Sequence, residues 1–145
     1  MERTPAAGRI AGPQVLCFEI GMQRALLVGI GGFFGSMGRY WLAGVVQDWN
    51  GADFPAGTLA VNILGSFILG MVLALSIDRD LISPNFRLFL GAGFCGGFTT
   101  MSAFSYETLA LLREGSVLVG VGNITESLVS CLSAVWLGDA AARLL

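Results

Sequence analysis

The chain predicts an all-α integral membrane fold with four transmembrane helices per subunit, on three observations. Of its 145 residues, 54% are hydrophobic and only 12% are charged, about half the charged share of a soluble domain. Four apolar stretches each reach the roughly 20 residues needed to cross the hydrocarbon core. The connections between them are short and polar, which forces neighbouring helices to run antiparallel.

The first stretch runs from Ala25 to Val46 and is interrupted only by Arg39. The second, Gly57 to Ile77, contains no charge. The third spans about Leu88 to Leu112, with Glu107 near its end; the fourth spans about Ser116 to Leu137 and encloses Glu126. The links are Gln47 to Ala56, with Asp48, Asn50, Gly51, Asp53 and Pro55; Asp78 to Phe86, with Ser83-Pro84-Asn85; and the tight turn Arg113-Glu114-Gly115. Residues 1–21 differ in composition, with Pro5, Gly8, Gly12 and Pro13, and lack the apolar core and small-residue cleavage site of a secretory signal. They are expected to form a disordered leader or an upstream extension, and residues 22–145 a single four-helix membrane domain.

Composition also excludes several functions. All eight basic residues are arginines, and the net charge of −2 leaves no basic stripe for nucleic acid. Without His, the usual zinc and Ser-His-Asp chemistries are absent. Cys95 and Cys131 lie in apolar stretches without C-x-x-C spacing and read as small buried hydrophobes. No nucleophile–base pair is visible, so an enzyme is not expected.

The arginines give a weak topological bias. With the N-terminus inside, the inner side carries Arg24, Arg79, Arg87 and Arg143, together with Arg3 and Arg9; the outer side carries Arg113, plus Arg39 if it reaches the interface. That permits one fixed orientation or insertion in both.

Polar groups within a span should face protein or water. In the second helix Asn62 is followed one turn later by Ser66; both serve as helix–helix glue or as ion contacts. The third helix is expected to break at Gly96–Thr99, because Gly96-Gly97 and Thr99-Thr100 are poor helix formers at mid-membrane depth. A break there frees carbonyls that can hold a cation such as Na⁺; the alternative is a continuous helix whose glycines allow close packing. Beyond it, Met101 and Phe104 share a face, as do Ser102 and Ser105, and Phe94 and Phe98 prolong the aromatic stripe one turn earlier. An aromatic ring has a positive edge, so ring edges, hydroxyls and an amide suit a small hard anion that must also be released. In the fourth helix Asn123, Glu126, Ser127, Ser130 and Ser133 fall roughly on one face. Four helices cannot hide three polar faces from lipid, which points to a dimer or larger oligomer. Gly31/Gly35, Ser66/Gly70 and Gly93/Gly97 fit small-xxx-small packing.

These residues also carry a resemblance. Gly32-Phe33-Phe34-Gly35-Ser36-Met37-Gly38-Arg39-Tyr40, Gly57-Thr58-Leu59-Ala60-Val61-Asn62-Ile63-Leu64-Gly65-Ser66-Phe67 and Gly96-Gly97-Phe98-Thr99-Thr100-Met101-Ser102-Ala103-Phe104-Ser105-Tyr106-Glu107 resemble the helix signatures of the Fluc (CrcB) fluoride channels. The resemblance extends from about Met22 onward.

It implies an antiparallel, dual-topology homodimer in the inner (plasma) membrane that passively exports fluoride. It implies a central structural Na⁺ held by the carbonyls of Gly96 and Thr99 from both subunits. Asn62, Met101, Ser102, Phe104, Ser105 and Ser127 fall on its pore positions, and Arg39 and Glu107 on its charged positions. Met101 stands where the family has a pore phenylalanine, Ala103 where it has threonine, and Asn123 where some members have tyrosine. These departures allow reduced throughput, a single working pore, or a need for a paralogous subunit.

Two other functions compete. A small dual-topology, proton-coupled multidrug-type exporter needs a membrane carboxylate, for which Glu126 is the candidate and Glu107 the second. A non-transporting scaffold uses its polar residues only to join helices.

Overall fold

The computed structural model describes the backbone of residues 13–51 and 54–145, with side chains from residue 21 onward. Every element among the described residues is helical. α1 (Pro13–Asn50) is followed by α2 (Ala56–Ile77). The third segment is composite. α3 (Pro84–Arg87) leads into a π-helical stretch, π1 (Leu88–Cys95), and then into α4 (Gly96–Phe98). Two extended residues separate α4 from α5 (Met101–Arg113), and α6 (Val117–Leu144) follows.

α2, the composite segment Pro84–Arg113 and α6 are each long and apolar enough to cross a membrane. α1 is longer than any of them, but its glycines and Arg39 dilute its apolar character and it is not among the three. It begins at Pro13, inside the segment expected to be a leader; proline fixes φ near the helical value and is well tolerated at a first helical position. The expectation for residues 1–12 lies outside the described residues.

α1 ends where the sequence punctuates it. Gly51 takes a positive φ of 86° and its N–H donates to the Gln47 carbonyl at 3.0 Å, a left-handed helix cap. The Gln47 side chain then ties the following loop to α2. Its amide donates to the Phe54 carbonyl at 2.9 Å, and its oxygen accepts from the Gly57 N–H at 3.1 Å.

Contacts fix the helix directions. Gly57 of α2 abuts Ala43 of α1, while Gly31 of α1 and Leu69 of α2 both lie beside the Phe89–Gly91 level of the composite segment, so these helices are antiparallel. Gly31 meets Phe89 and Phe94, and Gly35 meets Phe94 and Phe98, so α1 runs parallel to the composite segment. Gly138 abuts Phe67 and Met71. Gly70 abuts Val135 and, eight residues further along each chain segment, Asp78 bridges Arg143, so α2 and α6 are parallel. Directions therefore alternate along the chain.

Glycine makes these approaches possible. A methyl on Gly97 would lie 2.5 Å from the Gly32 carbonyl oxygen, and one on Gly93 would lie 3.0 Å from Gly31 Cα. Backbone touches backbone, which is how helices gain dispersion contact when lipid removes the hydrophobic drive between them. The small-xxx-small pairs Gly31/Gly35 and Gly93/Gly97 pack against each other, whereas Gly70 of the third pair packs on α6.

At the end where α2 and α6 finish, Arg143 bridges Asp78 at 2.9 Å and Asp139 at 2.8 Å. The outward surface is apolar, with Phe33, Phe34, Trp41, Leu118 and Trp136 all exposed, as a lipid- or partner-facing surface requires.

Candidate functional site

The third segment breaks at Thr99 and Thr100, whose backbones are extended (φ −87°, ψ 156° and φ −149°, ψ 116°). Gly96 and Gly97, expected inside the break, are helical. The glycines serve the contact with α1 instead, and Arg39 secures it by donating Nε–H to the Gly97 carbonyl at 3.2 Å. The break is made by an amide from another helix. Asn62 of α2 donates Nδ2–H to the Thr100 carbonyl at 3.2 Å and accepts the Thr100 N–H on Oδ1 at 2.8 Å. One side chain thus replaces both backbone partners that helix continuation would have given Thr100.

That diversion has a further effect. In an unbroken helix the Thr100 N–H reaches the Gly96 carbonyl and the Ala103 N–H reaches the Thr99 carbonyl. Here Thr100 N–H turns to Asn62, and Ala103 N–H donates to the Thr100 hydroxyl at 3.2 Å, capping α5. The Gly96 and Thr99 carbonyls therefore lose their usual donors. Cys95 fares otherwise, its carbonyl accepting both the N–H and the hydroxyl of Thr99 at 2.9 Å.

Beside the break lies an open groove of about 390 Å³ between α2, α5 and α6. It brings together Asn62, Thr99, Met101, Phe104 and Ser127, and its far wall is apolar, formed by Leu128, Leu132 and Val135. Ser127 is buried and its hydroxyl has no protein partner among the described residues. Among the described residues no arginine or carboxylate lines the groove.

Other expected site residues stand apart. Ser102 bonds the Thr100 hydroxyl at 3.1 Å and Ser105 donates to the Met101 carbonyl at 2.8 Å; both are exposed and outside the groove lining. The aromatic stripe is split, because the extended pair turns α5 relative to α4. Phe94 and Phe98 stack with centroids 5.4 Å apart and Phe98 is buried, whereas Phe104 faces the groove. Glu107 accepts the Thr58 hydroxyl at 2.7 Å, and its second oxygen is buried without a partner. The polar face of α6 also divides. Asn123 and Ser127 point inward, while Glu126 and Ser133 are exposed.

A relay that sequence reading missed supports the Phe104 wall. Asn123, 1% exposed, donates to the Thr108 hydroxyl at 2.9 Å, and Thr108 donates to the Phe104 carbonyl at 2.7 Å. The signal available in sequence was the placement of Thr108 and Asn123 on the two helices joined by the tight Arg113–Gly115 turn.

Comparison with known proteins identifies the family. The family model of CrcB-like protein, Camphor Resistance (CrcB), matches residues 26–139. A protein of Geotalea daltonii named fluoride-specific ion channel FluC is 47% identical over 122 residues, covering 84% of this chain and 98% of its own. Proteins of the same name are similar from Pyrococcus horikoshii, 48% identical over 82% of this chain and 94% of its own, and from Methanocaldococcus jannaschii, 46% identical over 81% and 92%. With this family-model match and these relatives over most of its length, the chain belongs to the CrcB family.

Proposed function

We propose that this chain is a passive fluoride-selective channel that exports F⁻ across the inner (plasma) membrane. The observation that carries the reading is the groove where Asn62, Phe104 and Ser127 converge beside the broken helix. The name shared by the relatives supports fluoride as the ion.

The chemistry fits a small hard anion. Asn62 spends one amide hydrogen on Thr100 and keeps the other. Ser127 offers a hydroxyl with no protein partner. The Phe104 ring supplies a positive edge in a low-dielectric wall. With no arginine in the lining, attraction stays weak enough for release, which conduction requires. Met101 replaces a ring by a flexible thioether, so it supplies polarizability rather than an edge.

The working unit is an antiparallel, dual-topology homodimer, in which a second copy closes the open side of the groove. α1 is the fourth span; its direction, parallel to the composite segment, supports this. A structural Na⁺ at the dimer centre would be held by the Gly96 and Thr99 carbonyls, whose usual N–H donors are diverted; carbonyl oxygens suit such a cation. When bound, the ion supplies fixed positive charge between subunits.

The test is fluoride efflux from liposomes containing the purified protein, read with a fluoride electrode after a potassium ionophore is added. Chloride efflux serves as the control. Fast fluoride release without chloride release, abolished by Phe104→Ile, is expected. Absence of fluoride release from well-folded dimeric protein overturns the proposal.

A further inference from the structure

Away from the groove, two surface hollows of about 350 and 470 Å³ lie side by side where the composite segment begins. Arg24 and Asn85 line both, forming a ridge between them. One hollow is walled by Leu69, Leu73 and Leu88 and also reaches Arg87; the other is walled by Leu26, Leu27 and Ile30. The ridge sits at a membrane boundary, since Arg24 directly precedes the first apolar stretch and Asn85 opens a span. Arg143, at the same end of the molecule, is bridged to two carboxylates, whereas Arg24 and Arg87 have no ion pair among the described residues.

We infer that this ridge binds an anionic two-chain phospholipid, its phosphate on Arg24, Asn85 and Arg87 and one acyl chain in each hollow. Guanidinium groups fit phosphate with paired hydrogen bonds. The twin hollows flanking one cationic ridge match a ligand with two apolar arms and one charged head. Acyl chains gain little from leaving neighbouring lipid for a leucine wall, so selection rests on the headgroup. This inference rests on the membrane fold and not on the fluoride reading.

The experiment is native mass spectrometry of the full chain in detergent, equilibrated with dioleoyl phosphatidylglycerol or dioleoyl phosphatidylcholine. The wild type should retain phosphatidylglycerol in preference. Arg24→Gln with Arg87→Gln should weaken that binding roughly 20- to 30-fold, as about two interfacial charges are lost, and leave phosphatidylcholine unchanged. Ala92 also lines the first hollow, and Ala92→Phe, which fills it without touching charge, should also lower phosphatidylglycerol retention. Arg113→Gln, at the opposite end, should not. Arg24→Lys with Arg87→Lys, which keeps the charge, should restore part of the preference. Equal retention of the two lipids overturns the inference. So does displacement of the lipid by inorganic phosphate alone, or a double variant that changes only the dimer fraction, since the face then belongs to a free anion or to a second copy.

Discussion

Asn62 and Thr100 are joined twice, the asparagine amide donating to the threonine carbonyl at 3.2 Å and accepting its N–H at 2.8 Å. The break in the third segment is thus set by a residue on α2, 38 positions away. Asn62→Leu removes both bonds and strands two polar backbone groups. It should destabilise the protein by about 2–4 kcal/mol, measured by thermal unfolding in detergent. Asn62→Asp keeps the acceptor but loses the donor and adds negative charge to the groove. Fluoride efflux in liposomes should fall at least tenfold for it, on the order of one such bond.

Asn123 and Thr108 form a relay to the Phe104 carbonyl. Asn123→Leu and Thr108→Val should each cost about 1–3 kcal/mol. Because they share one bond, a double-mutant cycle should return a coupling of about 0.5–3 kcal/mol. Additive effects would detach the relay from the Phe104 wall.

Gly97→Ala places a methyl against the Gly32 backbone, 2.5 Å from its carbonyl oxygen. Neither backbone is a flexible side-chain end, so α1 must shift. The expected cost is about 1–3 kcal/mol, read as a lower melting temperature. Gly44→Ala, with nothing within 4 Å, should be tolerated in the same assay.

Glu126 is exposed on α6 and does not line the groove. Glu126→Gln should leave fluoride efflux and its pH dependence unchanged. A proton-coupled exporter would lose its coupling with this substitution, so a change in pH dependence would revive that class of mechanism.

Three of the four expected spans were legible because lipid demands long apolar runs, and length with composition reports these directly. The site was legible only in part. Gly96-Gly97 looked like the breaking point because glycine is a poor helix former, yet here it yields close contact with Gly32 and stays helical. The actual break depends on Asn62, and no local propensity encodes a capture by a distant helix. The same non-local turn separates Phe98 from Phe104, so a stripe drawn by helical periodicity was cut in two. The single polar face expected for Asn123, Glu126 and Ser127 divides, with Asn123 and Ser127 buried and Glu126 exposed. Periodicity, however, does not say which edge of a broad face turns inward. Glu126 lies about 100° from Ser127 around the helix axis.

The parallel pairing of α2 with α6 also constrains how the protein is made. Among the described residues it is one of the two most extensive helix–helix contacts, and it unites the second helix with the last. At about 5–20 residues per second, the face of α2 around Gly70 leaves the ribosome several seconds before Val135 and Gly138 exist to cover it. During that interval α2 must rest against lipid, the insertion machinery or another nascent chain. Biogenesis is therefore the stage at which the glycine face is bare, and a translational pause ahead of Val117 would prolong it.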